Sequence, residues 1–291
     1  MAQTVSELDG DWDGTVTAPG GIKLRMSLHI ESHDGVTAVT LASIDEGNVK
    51  VPITAITRAG ENVSLDTPTV SGLIKGTISG DGNSIAGKLN ATLPITFTRR
   101  AAGAMAPAAL ARPQEPKPPY PYRSEDVTFA GPGGITLAGT LTTPQGAGPF
   151  PAVVLVQGSG GHDRDENMLG HKPFLVLADA LTQRGIAVLR ADKRGIGKST
   201  GKFATATSED FAADTEATVA YLRTLKNIDP KKIGLIGHSE GGLIAPMVAT
   251  KDTGIAFIVL MAGPGLKGED ILLMQQRLIA LAMGASPEAV D

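Results

Sequence analysis

The sequence contains no cysteine, and this absence removes several kinds of chemistry at once. A chain without cysteine has no disulfide bonds, no thiolate nucleophile and no cysteine-ligated zinc site. Only five histidines are present, and none belongs to an HExxH pair on a helix face. We therefore expect neither a metal site nor a metal cofactor. The lack of cysteine fits any cellular compartment, so it does not place the protein.

Long apolar runs and an excess of positive charge are also missing. No stretch approaches the ~18 to 20 apolar residues that a membrane-spanning helix needs, so we expect no span. The 30 acidic and 26 basic side chains give a net charge of −4. This balance excludes a basic field over the whole chain, and nucleic acid is not an expected partner.

The first residues carry no visible secretory signal. The segment Met1-Ala2-Gln3-Thr4 lacks a charged and apolar leader, and a folded pattern begins near Trp12. A start such as Ala2-Gln3 is also what remains when a signal has been cut off and a methionine added. The sequence therefore leaves a cytoplasmic and a periplasmic or secreted location open.

Residues 1–100 have the pattern of a small all-β domain. Short runs of alternating apolar and polar residues recur at roughly 8–12-residue spacing, and turn sequences such as His33-Asp34-Gly35 separate them. Many short strands at this spacing predict an antiparallel meander closed into a small barrel or sandwich. Residues 101–123 follow as a linker that holds six of the 19 prolines. We interpret it as a semi-rigid spacer, with a proline-recognition ligand as the alternative.

Residues 124–291 alternate strands with helices. Continuous apolar runs at 152–156, 186–190, 233–236 and 256–260 predict buried strands, and the intervening segments predict helices. One helix is expected to begin near Thr207, where Asp210 completes a capping box. This alternation predicts a mostly parallel, doubly wound sheet.

The motif that carries chemistry is Gly237-His238-Ser239-Glu240-Gly241, which follows a strand and precedes a helix. In this context a tight, strained turn presents the Ser239 hydroxyl at the carboxyl edge of the sheet, and we expect Ser239 to be a nucleophile. Gly237 and Gly241 are expected because a Cβ would collide with neighbouring backbone. His238 is expected to pack beside the turn rather than to act as a base. The alternative is a serine that only caps the helix.

The loop after the strand at 152–156 is rich in glycine, with Gly158 and Gly160 flanking Ser159. A loop at this place supplies one backbone N–H of an oxyanion hole, and the residue after the nucleophile supplies the other. We therefore expect the N–H groups of Ser159 and Glu240 to be the donors. The alternative is a plain glycine turn.

Residues 192–199 imitate the end of a phosphate-binding loop in Gly197-Lys198-Ser199. The glycine required five residues before Gly197 is Asp192, and the next helix is delayed to about Thr207, so nucleotide binding is not expected. Asp192 and Arg194 are instead expected to form an ion pair that braces this loop beside the site.

These motifs together resemble the α/β-hydrolase superfamily, and more narrowly bacterial serine esterases with an N-terminal β domain. The resemblance implies hydrolysis of a small-molecule carboxylic ester through an acyl-enzyme, without a cofactor. Departures at Gly161, His162 and Ala191, where we expect Pro, Gln and Tyr, concern the shape of the loops. The stretches that carry the resemblance are Gly158-Ser159-Gly160, Asp163-Arg164-Asp165-Glu166, Gly170-His171-Lys172-Pro173-Phe174, Arg194-Gly195-Ile196-Gly197-Lys198-Ser199 and Gly237-His238-Ser239-Glu240-Gly241-Gly242-Leu243-Ile244-Ala245-Pro246.

In this superfamily an acid and a histidine follow the serine. No histidine follows Ser239, and Ser286-Pro287-Glu288 has the pattern of a helix start three residues before the end of the chain. We therefore expect a C-terminally truncated chain, inactive or nearly so by itself, that a C-terminal fragment would complete. Two other functions stay open: a serine aminopeptidase of the same fold, and a non-catalytic module that binds glycans or a partner.

Overall fold

The computed structural model describes residues 4–17, 21, 23–68, 72–108, 110–282 and 285–290. The chain divides into two compact units, residues 1–111 with 272–291, and residues 112–271. No helix in these described ranges is long and apolar enough to cross a membrane.

The first unit contains one antiparallel sheet, built from strands between residues 10 and 99, and the all-β fold class predicted for residues 1–100 is confirmed. Its strand order is β4-β3-β2-β1-β9-β8-β7-β6-β5, so the first strand of the meander pairs with the last. Among the described residues, the edge strands β4 and β5 do not pair with each other, and the sheet is a curled half-barrel. The strands are β1 (Gly10–Thr17), β2 (Lys23–His33), β3 (Val36–Ser43), β4 (Val49–Pro52), β5 (Ala55–Ala59), β6 (Asn62–Asp66), β7 (Ile74–Ile78), β8 (Ser84–Leu89) and β9 (Leu93–Arg99).

The sole tryptophan anchors the core of this sheet. Trp12 is fully buried on β1, and its indole N–H donates to the Leu8 carbonyl at 3.0 Å. The Arg99 guanidinium lies 4.2 Å from the centre of the ring. Alternate residues of the neighbouring strands, such as Leu28 and Phe97, are buried on the same face, as period-two patterning requires.

The second unit contains a six-stranded sheet in the order β10-β11-β13-β12-β14-β15. The pairs β13·β12, β12·β14 and β14·β15 are parallel, and β10 and β11 join one edge as an antiparallel hairpin. The predicted α/β fold class, with a mostly parallel sheet, is confirmed. Its elements are β10 (Arg123–Ala130), β11 (Thr136–Thr143), β12 (Phe150–Val156), α1 (Pro173–Thr182), β13 (Ala187–Ala191), α2 (Ser208–Arg223), β14 (Ile228–His238), α3 (Gly241–Lys251) and β15 (Ile258–Met261).

Helices cover both faces of this sheet, which explains the continuous apolar runs. On β12, Val153 and Leu155 pack in the cluster that contains Phe174 of α1. Val154 belongs to the opposite cluster, with residues of α2 and α3 such as Ile244. Because β12, β13 and β14 run parallel, their carboxyl ends meet at one edge, where the loops at 157–161, 192–199 and 239–240 begin.

Helix α2 begins as predicted. Thr207 is its N-cap, and Thr207 and Asp210 form the reciprocal capping box. Two threonines that make its buried face less apolar, Thr215 and Thr218, donate their hydroxyls to the carbonyls of Phe211 and Asp214 at 2.8 and 2.7 Å. Each buried hydroxyl therefore has a partner, which makes this face suitable for the core.

The described C-terminal elements are much less buried. All four residues of β15 are 37–48% exposed, although the strand pairs with β14. Helices α4 (Gly268–Ala282) and α5 (Pro287–Val290) follow, and neither has a buried residue in its described part.

Candidate active site

The turn between β14 and α3 holds Ser239 in an unusual backbone conformation. Ser239 has φ +52°, a left-handed backbone conformation that residues other than glycine rarely adopt. Its N–H donates to the Met261 carbonyl at 2.9 Å, and its carbonyl accepts from the Gly242 N–H at 2.8 Å. The turn is thus fixed from both sides, and Ser239 is only partly buried.

The glycines around Ser239 permit contacts that any larger residue would prevent. A Cβ on Gly237 would lie 2.0 Å from the Gly241 carbonyl oxygen. A Cβ on Gly241 would lie 2.1 Å from the Val156 carbonyl oxygen. The start of α3 is therefore packed directly on the ends of β14 and β12, as the sequence argument for Gly237 and Gly241 requires.

The glycine-rich loop at 157–161 lies against this turn. A Cβ on Gly158 would lie 3.1 Å from the Ser239 Cβ, and Gly160 has φ +106°. Within the described ranges, neither the Ser159 N–H nor the Glu240 N–H donates to another protein group. The structure thus brings the loop of Ser159 beside Ser239, and neither expected donor has an acceptor among the described residues.

No role is predicted from the sequence for Glu166, which ends the stretch Asp163-Arg164-Asp165-Glu166. Glu166 is 1% exposed, and its Oε1 accepts from the Gly158 N–H at 2.6 Å. The same oxygen lies 2.9 Å from His238 Nδ1, which donates to it. Glu166 Oε2 is buried and has no partner in the described part of the chain. One buried carboxylate therefore ties the glycine loop to the histidine beside Ser239.

Lys193 was also missed. Its side chain is 3% exposed, and Nζ donates to the Gly158 carbonyl at 2.6 Å and to Glu240 Oε2 at 3.3 Å. Nζ also lies 4.3 Å from the centre of the Phe211 ring. Burial lowers the pKa of Lys193, and the charge of Glu240 opposes this shift only in part. The sole signal available in the sequence was its position directly after Asp192, at the carboxyl end of β13.

The expected ion pair between Asp192 and Arg194 is wrong. Asp192 pairs with Arg164, whose Nη2 lies 2.7 Å from Asp192 Oδ2. Arg194 instead donates to Asp214 at 2.7 Å and to Asp210 at 2.9 Å. The two carboxylates lie one turn apart on α2, so they surround the guanidinium of Arg194 from one helix face.

Asp192 fills the loop that imitates a phosphate-binding site. Its carboxylate accepts from the backbone N–H of Lys198 at 3.0 Å, and a Cβ on Gly197 would lie 2.6 Å from it. Burial alone would raise the pKa of Asp192, but hydrogen bonds from Arg164 and from the Lys198 N–H outweigh it, and the pKa is lowered. An internal carboxylate therefore accepts the hydrogen bond that the Lys198 N–H offers in this loop.

Comparison with known proteins agrees with this architecture. A family model described as Serine aminopeptidase, S33 (Hydrolase_4) matches residues 153–287. Esterase EstD of Thermotoga maritima is 32% identical over 154 residues, which are 53% of this chain and 35% of that esterase. YfhR of Escherichia coli K12 is 30% identical over 128 residues, which are 43% of this chain and 41% of YfhR. The chain thus spans less than half the length of either relative.

Among solved structures, the α/β hydrolase GrgF from Penicillium sp. sh18 aligns with a TM-score of 0.45 and 25% identity, over 55% of this chain and 53% of that one. The mostly parallel sheet of the second unit and the sequence similarity to EstD both support the α/β-hydrolase superfamily. The second unit therefore has the α/β-hydrolase fold, and the chain belongs to the α/β-hydrolase superfamily.

Proposed function

We propose that this chain carries the nucleophile of a serine carboxylesterase, which hydrolyses small-molecule esters through an acyl-enzyme on Ser239. One observation carries the proposal: Ser239 is held at φ +52° against a loop, and the N–H groups of Ser159 and Glu240 donate to no other described group. The similarity to esterase EstD supports the choice of an ester as substrate.

In the proposed reaction, the Ser239 oxygen attacks the ester carbonyl carbon while a base removes the hydroxyl proton. The carbonyl oxygen becomes an oxyanion and accepts hydrogen bonds from the Ser159 and Glu240 amides. The N-terminus of α3 adds positive potential at the same place. The alcohol leaves with a proton, and water then hydrolyses the acyl group from Ser239.

The base that this reaction requires is a histidine within reach of the Ser239 hydroxyl. None of the five histidines follows Ser239, and His238 directs its Nδ1 to Glu166. Without such a base the Ser239 hydroxyl is a weak nucleophile.

A serine aminopeptidase is the second candidate, because the matching family model has that description. Hydrolysis of p-nitrophenyl acyl esters and of aminoacyl p-nitroanilides by the natural protein separates the two. The esterase proposal predicts turnover of the esters, loss of turnover in Ser239→Ala, and an unchanged rate in Ser124→Ala, which alters an exposed serine on β10.

Preferential cleavage of the anilides would replace the esterase with the aminopeptidase. Ester hydrolysis that persists in Ser239→Ala would remove Ser239 from the mechanism. If neither substrate is hydrolysed by the natural protein, a non-catalytic binding module becomes the better description.

A further inference from the structure

The buried amine of Lys193 contacts the backbone at the place where the proposed oxyanion donor is defined. Nζ donates to the Gly158 carbonyl oxygen at 2.6 Å. That carbonyl and the Ser159 N–H belong to the same peptide unit. In a planar trans peptide the two groups point in opposite directions, so a group that holds the carbonyl oxygen also fixes the direction of the N–H.

Two further side chains hold the same loop. Glu166 Oε1 accepts from the Gly158 N–H at 2.6 Å, and His162 Nε2 donates to the Ser159 carbonyl at 2.6 Å. Of these three hydrogen bonds, only the one from Lys193 is made to the peptide unit that contains the Ser159 N–H. A cationic donor on the carbonyl also polarises that unit, which strengthens its N–H as a donor.

Lys193 also contacts the residue that contributes the second donor. Nζ lies 3.3 Å from Glu240 Oε2, and Glu240 Oε1 accepts from the Ser208 hydroxyl at 2.8 Å. One buried cation therefore joins the loop of Ser159 to the first residue after Ser239. The ring of Phe211 shields this cation from solvent at 4.3 Å.

We propose that Lys193 is a positioning residue of the oxyanion hole, which in its protonated form holds the 158–159 peptide so that the Ser159 N–H faces the reacting carbonyl. This role rests on the proposed esterase function. It acts through the backbone, and Lys193 itself does not touch the substrate. Because burial lowers the pKa of Lys193, its neutral form is populated at a lower pH than that of an ordinary lysine.

The test is Lys193→Met in the natural protein, with p-nitrophenyl esters and the corresponding thionoesters as substrates. Loss of the hold on the peptide predicts a kcat about 10- to 100-fold lower for the oxygen ester, with KM little changed, since a lost oxyanion donor costs about 10²–10³-fold. The thionoester, whose sulfur is the weaker acceptor, should lose less. Lys198→Met is the matched control, because this lysine of the same loop has a side chain that is 70% exposed and pairs with Asp126.

If Lys193 has only a structural role, Lys193→Met should lower kcat by the same factor for the oxygen ester and for the thionoester. If Lys193 has no role, kcat should not change for either substrate. Either result overturns the proposal. Should Lys193→Met fail to fold, wild-type protein decides: its preference for the oxygen ester should fall at alkaline pH, and a constant preference overturns the proposal. Failure of the esterase function shows separately, as wild-type protein without ester turnover or as turnover that persists in Ser239→Ala.

Discussion

A single methyl group at Gly237 should disrupt the turn that presents Ser239. Its carbon would lie 2.0 Å from the Gly241 carbonyl oxygen, whereas ordinary contact begins at 3.4 Å. Both atoms belong to backbone, so no side chain can rotate away, and the chain has to move by more than about 1 Å. Overpacking of this kind costs typically 1–3 kcal/mol and more where backbone must shift, so we expect about 3 kcal/mol for Gly237→Ala. A displacement of about 1 Å at Ser239 should also lower kcat/KM about 100-fold.

Urea unfolding followed by circular dichroism at 222 nm measures the stability, and ester hydrolysis by the natural protein measures the activity. Gly265→Ala is the matched control, since a Cβ there meets nothing within 4 Å; we expect it to change stability by less than about 0.5 kcal/mol. An unfolding midpoint in Gly237→Ala equal to that of Gly265→Ala would refute the packing argument. Normal activity in a destabilised Gly237→Ala would show that the turn tolerates displacement.

Three further predictions concern side chains near the turn. Asp192→Ala should lower the free energy of unfolding by about 3–5 kcal/mol, because Arg164 loses a buried partner. Since the pKa of Asp192 is lowered in the folded protein, the stability that this carboxylate contributes is complete above the pKa of an unfolded aspartate, about 3.9, and is lost as the pH falls below it. Urea titrations at acid pH should therefore show a weaker pH dependence in Asp192→Asn. Thr207→Ala should cost about 1 kcal/mol through loss of the α2 cap, and an equal effect of the exposed Thr205→Ala would contradict this. Burial lowers the pKa of Lys193, so at pH values between its pKa in the folded protein and that of an ordinary lysine the unfolded chain binds more protons, and the free energy of unfolding should rise with pH. A similar rise in Lys193→Met would show that other groups cause it.

Patterns local in the sequence predicted most of the architecture. The capping box at Thr207 and Asp210, the apolar run of β12 and the glycines around Ser239 each depend on neighbours within a few residues, and each appears as expected. The strand positions at the C-terminal end were less accurate: the expected strand at 256–260 is β15 at Ile258–Met261.

Features that depend on distant parts of the chain were not predictable in this way. Asp192 and Arg194 are two residues apart, yet Asp192 pairs with Arg164, 28 residues earlier. The charges of these side chains do not indicate which arginine pairs with Asp192, because the ion pair depends on which loops meet at the carboxyl edge of the sheet. Lys193 was passed over for the same reason, since its acceptor Gly158 is 35 residues away.

The hairpin pattern of the first unit likewise predicted antiparallel strands but not where the barrel would open. The order of the strands shows the opening between β4 and β5, two strands that are consecutive in the sequence. Residues 53 and 54 alone separate them, so the short connection does not by itself produce a pair.

The most direct measurement is covalent labelling of the natural protein with a fluorophosphonate, followed by mass spectrometry of its peptides. An activated serine hydroxyl beside unoccupied amide donors should attack the phosphorus, so we predict one modified peptide that contains Ser239, and no label in Ser239→Ala. A label on another serine, or one that persists in Ser239→Ala, would contradict the assignment of the nucleophile.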